Sequence, residues 1–284
     1  MRSIFLAVVL LIGLQGFTQE VQAYQIFTKE GKKVSFKQLV KHGLKQDVVL
    51  FGELHNSAIA HWLQIELLKA LHERDSIAVG MEMFEADNQD EIDAYFAEKI
   101  DAKAFDTLVR LWSNYTTDYK PVVEYSRENQ IPLIATNIPR KYASLVYKKG
   151  FEALDSLADD QKAWIAPLPI KYDPTLPGYQ EMMKMMPGHA NENFPKAQAI
   201  KDATMAHFMF AEMKRTGNLF LHLNGAFHSN NFDGIYWYLK KLDNTMNIGT
   251  ITTVTQKEVS KLKDENKGLA DFILVIDEDV TSTY

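Results

Sequence analysis

The chain has 284 residues, 46% of them hydrophobic, a formal net charge of −6 and no cysteine. This composition is ordinary for a globular protein and excludes the basic footprint of a nucleic-acid binder, because no local basic cluster offsets the negative charge. It also excludes disulfides and cysteine-based metal clusters, so any metal site has to be built from His, Asp, Glu, Tyr or Met.

The first residues, Met-Arg followed by an apolar run from Ile4 to Leu14 and a polar stretch to Ala23, have the layout of a secretory signal. The run is too short to span a bilayer as a mature helix. We expect residues 1–23 to be a cleaved signal peptide ending at Val21-Gln22-Ala23, with Gln19 as a rival site. Without a cysteine to lipidate, the mature chain is expected to be soluble, in the periplasm or outside the cell. Residues 24–284 then form one α/β domain, since roughly 260 residues suit one large domain better than two.

In chain order, Tyr24 to Phe36 predicts a hairpin turning at Glu30-Gly31, followed by a short helix from Lys37 to His42. Val48 to Phe51 is a continuous apolar run that breaks into Gly52-Glu53-Leu54-His55, and an amphipathic segment, Ala58 to Leu71, follows directly. This reads as a buried parallel strand whose carboxyl end turns into a helix. Ser76 to Phe84 is a second strand, ending near Glu82. An acidic helix (Asn88 to Glu98), an aromatic segment (Trp112, Tyr115, Tyr119) and a helix from Pro121 to Asn129 come next. Pro132 to Asn137 is a third strand and runs into Asn137-Ile138-Pro139-Arg140 before another helix. The alternation predicts an α/β fold, a mostly parallel sheet with helices on both faces.

Around residues 165–196 the pattern lapses into prolines, tyrosines and methionines, longer than a plain connection. We read it as a helical and loop insertion that serves as a lid or contact surface. A helix from Lys196 to Arg215 follows. Asn218 to Phe227 then repeats the earlier grammar, strand and Gly225-x-x-His228. A helix from Gly234 to Leu242 and strands at Ile248 to Thr255 and Phe272 to Ile276 complete the chain.

Ligands of open α/β sheets bind at the carboxyl ends of the strands. Glu53, His55, Glu82, Asn137 with Arg140, and His228 all fall at such ends. Two imidazoles and a carboxylate suit a divalent cation, so His55, His228 and Glu82 are candidate metal ligands, and Glu53 or Glu82 is a candidate general base of a hydrolase. Arg140 and the helix opening at Ser57 favour an anionic group. Gln198 and Asp202, four apart, share one helix face, which looks at the pocket or caps the neighbouring turn, or else faces solvent. His42 and His72 read as surface bystanders and His207 as a core or interface residue.

The ordered set Gly52-Glu53-Leu54-His55, Gly80-Met81-Glu82-Met83-Phe84, Asn137-Ile138-Pro139-Arg140, Ala197-Gln198 with Asp202 and Met205-Ala206, and Gly225-x-x-His228 resembles the ChaN-like haem-binding uptake family. That family shares a superfamily with Tiki, TraB and erythromycin-esterase-like proteins. The resemblance implies an α/β fold, haem binding linked to homodimer formation, and a role in iron uptake with an outer-membrane uptake partner. Elsewhere in the superfamily the paired G-x-x-H motifs and carboxylates serve metal-dependent or hydrolytic chemistry. ChaN proteins are often lipoproteins, which a cysteine-free chain is not, and the implied tyrosine ligand of the haem iron lies outside the matched motifs. Tyr115, Tyr119, Tyr172 and Tyr179, with His189, are the candidates for contact with haem, and Arg140 for its propionates. A secreted haem-binding protein, a metal-dependent hydrolase and a scaffold with a vestigial site are the readings carried forward. In the first of these, haem lies against the 112–119 and 172–189 segments, and its iron is not held by His55 and His228 together.

Overall fold

The structure, a computed structural model, describes residues 21–185 and 191–284. The apolar run of the expected signal peptide and His189 lie outside the described residues. Eight strands form one sheet: β1 (Tyr24–Thr28), β2 (Lys33–Val34), β3 (Val48–Glu53), β4 (Ile77–Glu85), β5 (Leu133–Asn137), β6 (Leu219–Gly225), β7 (Ile248–Gln256) and β8 (Phe272–Asp277). Their order is β2-β1-β8-β7-β3-β6-β4-β5. From β8 to β5 every neighbouring pair is parallel, and only β1, against β2 and β8, is antiparallel.

The helices are α1 (Phe36–Gly43), α2 (Ala58–His72), α3 (Gln89–Phe96), α4 (Ala102–Leu108), α5 (Lys120–Glu128), α6 (Arg140–Lys149), α7 (Asp159–Lys162), α8 (Pro177–Met185), α9 (Asn193–Thr216) and α10 (Ile235–Leu242). Helices α4 and α7 are additions to the sequence reading. The helix within the insertion is α8, and the aromatic segment closes in a π-helical turn, Tyr115–Tyr119, that leads into α5.

The apolar run of β3 is continuous because both of its faces are covered. Val49 and Phe51 point into one core, with Leu63, Leu67, Leu68 and Leu71 of α2 and Val122 and Val123 of α5. Val48 and Leu50 point into another, with Ala203, Ala206 and Met209 of α9 and Ile235 and Leu239 of α10. Side chains alternate along a strand, so one short run feeds two cores. Fully burying each such side chain contributes about 1.5–3 kcal/mol, which fixes β3 at the centre of the sheet.

Local signals set the helix ends. Ser35 accepts from the N–H of Gln38 while the Gln38 side chain returns to the Ser35 N–H, a capping box that starts α1. Helix α9 stops at Gly217, whose φ of 73° belongs to the left-handed region that glycine enters without strain. His42 departs from its expected surface position: it packs edge-on against Phe272, and its Nε2 is buried without a partner. No helix among the described residues is long and apolar enough to cross a membrane.

Candidate functional site

The three central strands β3, β6 and β4 deliver their carboxyl ends side by side, and with β5 they floor a cleft of about 960 Å³. Glu53, His55, Glu82, Asn137, Arg140, Gln198 and His228 all line it. The motifs converge because β6 is inserted between β3 and β4, bringing the two G-x-x-H turns together.

Glu53 ends β3 and is almost fully buried. Its Oε1 accepts from His55 Nδ1 at 2.8 Å and from the Tyr119 hydroxyl at 2.7 Å, and its Oε2 accepts from Gln64 Nε2 at 2.5 Å. A carboxylate has no proton to give, so His55 carries its hydrogen on Nδ1 and turns Nε2 toward Gly225. A Cβ at Gly225 would sit 2.8 Å from that Nε2, so only glycine leaves room for the ring. Trp112 packs edge-on against the same ring at 4.9 Å between centroids. Burial works against charge on His55, but the Glu53 hydrogen bond and the nearby Glu82 and Glu53 carboxylates raise its pKa above the ordinary value. Beneath it, His61 Nε2 and Asn114 Nδ2 each donate to the His55 carbonyl at 3.0 Å.

Glu82 belongs to β4. One oxygen accepts the Gly225 N–H at 2.6 Å, and the other lies 3.1 Å from His228 Nε2. On its far side His228 donates Nδ1–H to Asp202 Oδ1 at 2.5 Å, and Asp202 Oδ2 accepts from the Tyr179 hydroxyl at 2.9 Å. Gln198 lays its amide 2.9 Å from the same imidazole nitrogen. The shared face of Gln198 and Asp202 thus looks at the pocket. Burial opposes charge on His228, yet Glu82 and Asp202 outweigh it and push its pKa up to about 9. Glu82 is correspondingly held well below the carboxylate range: its burial is overcome by His228, His55 and the Gly225 N–H. Complete burial raises Asp202 in spite of its hydrogen bonds.

His222, on β6 below the site, is locked in the core. Nε2 faces Thr136 Oγ1 at 2.8 Å and Nδ1 faces Asn224 Oδ1 at 3.1 Å, and burial pushes its pKa down to about 4, which keeps it neutral.

The expected metal ligands are therefore neighbours, but their ring nitrogens and oxygens are largely turned on protein partners. Among the described residues no group of three or more His, Asp or Glu side chains is arranged to hold a metal ion. None of the four candidate tyrosines lines the cleft. Tyr115 packs against Phe84 and Phe105 in the core, the Tyr119 and Tyr179 hydroxyls are committed to Glu53 and Asp202, and Tyr172 packs tilted against Tyr179 and edge-on against Phe151. Burial, reinforced by those carboxylates, raises the pKa of both Tyr119 and Tyr179, so the two phenols are neutral donors.

The sequence reading missed His61, Gln64, Asp118, Lys201 and Tyr284. A polar pair three apart, His61 and Gln64, on an otherwise buried helix face was the one available signal for the first two. Above the polar floor the cleft walls are Leu111, Trp112, Ile138, Met182, Phe194 and Phe227, with Arg110, Arg140 and Lys201 among them. Arg110 is bound to Glu85 and Asp87, whereas Arg140 and Lys201 have no carboxylate partner among the described residues.

Comparison with known proteins gives a consistent picture. Residues 39–239 match the model of a family described as haem-binding uptake, Tiki superfamily, ChaN. A structure of cofacial haem binding to ChaN of Campylobacter jejuni superposes with a TM-score of 0.67 over 90% of this chain and 98% of that one, at 18% identity. The type III effector HopBA1 does so with a TM-score of 0.53 at 11% identity, over 86% of this chain and 94% of the other. At such identities the likeness is one of fold. Protein RETICULATA-RELATED 5, chloroplastic, of Arabidopsis thaliana is 26% identical over 98 residues, 32% of this chain, and the match spans only 13% of that protein's length. With the family model covering most of the chain and the same architecture in a ChaN structure, the chain belongs to the ChaN family of haem-binding uptake proteins in the Tiki superfamily.

Proposed function

We propose that this protein binds haem as cargo in the strand-end cleft and serves iron uptake outside the cytoplasm, following cleavage of residues 1–23. The observation that carries the reading is the two-layered cleft: an apolar wall of Leu111, Trp112, Met182, Phe194 and Phe227 over a polar floor, with Arg140 and Lys201 on the lining and without a carboxylate partner among the described residues. Haem is a broad apolar plate with two anionic propionates and needs both kinds of surface. A volume of about 960 Å³ is ample for it, cofactor sites spanning roughly 300–1,000 Å³. In this arrangement Arg140 and Lys201 hold the propionates, and Trp112 and its apolar neighbours exclude water from the plate.

Iron, when haem is bound, needs an axial donor. His228 has both ring nitrogens engaged, by Asp202 and Glu82, which supports the expectation that His55 and His228 do not hold the iron together. Cofacial haem in the Campylobacter jejuni relative and the half-exposed Phe227 at the cleft support a homodimer formed around the ligand; delivery through an outer-membrane uptake partner is part of the same proposal. A metal-dependent hydrolase draws less support, because the same histidines and carboxylates spend their donors and acceptors on each other and on Asp202, Tyr119 and Gly225.

Titration of the purified protein with haemin, followed by visible absorbance, tests the reading. A saturable spectral change is expected, with light scattering reporting a larger mass at saturation. A spectrum identical to that of free haemin at every ratio overturns it.

A further inference from the structure

The segment after β8 crosses the carboxyl ends of the central strands. Ser282 pairs with Ser57 in an isolated β-bridge, the Thr283 N–H donates to the Asn56 carbonyl at 3.0 Å, and Thr283 Oγ1 donates to Asp118 Oδ2 at 2.8 Å. Asp118 is itself buried. It accepts from Asn114 Nδ2 at 2.7 Å and lies 3.5 Å from His61 Nε2, the two residues that also hold the His55 carbonyl. The strap is thus tied to the network that positions Glu53 and His55. At its end Tyr284 lines the cleft while remaining 63% exposed. This segment lies beyond the residues, 39–239, that the family model matches.

The bridge, of which the Thr283–Asn56 bond is part, and the Thr283 hydroxyl bond spend chain entropy to hold an aromatic ring in water at the mouth of a cleft. The packing of the protein itself gains little from that ring, whereas a flat ligand beside it would gain a stacking face. We infer that Tyr284 is a ligand-contacting residue whose ring forms one wall against a planar aromatic ligand in the cleft, and that Thr283 is the residue that positions it. With haem as that ligand, the inference rests on the function proposed above. Slight burial and the Asp118 and Glu53 carboxylates raise the Tyr284 pKa, so the ring at the cleft is a neutral phenol in the ligand-free protein.

The test is a haemin titration of the full chain and of its Tyr284→Ala, Tyr284→Phe and Thr283→Val forms. Tyr284→Ala is expected to weaken binding about tenfold, the size of one lost aromatic contact. Tyr284→Phe, which keeps the ring, should stay within about threefold of the parent. Thr283→Val keeps the shape but loses the O–H donor to Asp118, and should weaken binding about threefold to fivefold. Undiminished affinity in Tyr284→Ala overturns the inference, and so does a Tyr284→Phe form that loses as much as Tyr284→Ala. If the parent chain shows no haemin-dependent spectrum, the haem reading fails instead. The strap is then measured directly by amide exchange: slow exchange at Thr283 supports the pinned segment, and exchange at the free-chain rate overturns it.

Discussion

His228 is the group on which the stability of the site turns. It is buried between Asp202 and Glu82, and these two carboxylates push its pKa up to about 9 against the opposing effect of burial. In an unfolded chain a histidine titrates near 6.5. A group whose folded pKa is raised contributes its full stabilisation below the unfolded value and loses it as pH rises through the folded one. The interval from about 6.5 to about 9 corresponds to about 3 kcal/mol. His228→Gln keeps a polar side chain of similar reach but cannot carry the charge, so it leaves two buried carboxylates without their cation. At pH 6 that costs about 3–5 kcal/mol. Chemical unfolding of both forms, followed by tryptophan fluorescence from pH 6 to pH 9.5, isolates the effect. The stability advantage of the parent over the variant should shrink by about 3 kcal/mol across that range. On the acid side the sign reverses. Glu82 is held below the carboxylate range by the same partner, so its contribution is present above about pH 4.5 and is lost as pH falls further. It is the same interaction seen from its other member and does not add to the figure. Two stability curves that run parallel from pH 6 to pH 9.5 would refute the reasoning.

Tyr119→Phe removes one of the three donors to the buried Glu53. It should lower stability by about 1–3 kcal/mol in thermal unfolding, and an unchanged Tm would show that the hydroxyl does not stabilise the carboxylate. Gly225→Ala puts a Cβ 2.8 Å from the His55 ring and 3.5 Å from Glu82. The ring has to move, so we expect a cost of about 1–3 kcal/mol and a shifted His55 resonance by NMR; a resonance in its original place would contradict the close approach. Arg140→Ala and Lys201→Ala should each weaken haemin binding about threefold to tenfold and flatten its dependence on salt. An affinity equally salt-sensitive in the parent and in both variants would remove these cations from the propionate role.

What the sequence made legible follows from where chemistry and local pattern coincide. The run from Val48 to Phe51 announces a strand covered on both sides, and the Gly-x-x-His that ends it marks the ligand-facing edge. Neighbourhood in the sheet is not local. β6 inserts between β3 and β4 although more than a hundred residues of chain separate it from either, and α2 and α9 pack into different cores. For the same reason the surroundings of the tyrosines were not legible: their residue type announces a phenol, but not whether its hydroxyl reaches a cleft or a buried carboxylate.

The structure shows that the repeated motif is backed by a repeated arrangement assembled from distant positions. His55 gives Nδ1–H to Glu53, which also accepts from Tyr119; His228 gives Nδ1–H to Asp202, which also accepts from Tyr179. Each motif histidine is thus oriented by a buried carboxylate, and each carboxylate is steadied by a neutral tyrosine. The two units differ at Nε2. In His228 that nitrogen is taken up by Glu82, which completes a buried ion pair, whereas in His55 it faces Gly225 and the cleft beside Trp112. The His228 unit therefore holds the strand ends together, and the His55 unit turns an imidazole nitrogen toward the cleft. That division follows from Glu82 lying on β4 within reach of only one ring's Nε2, a consequence of strand order that no spacing within either motif contains.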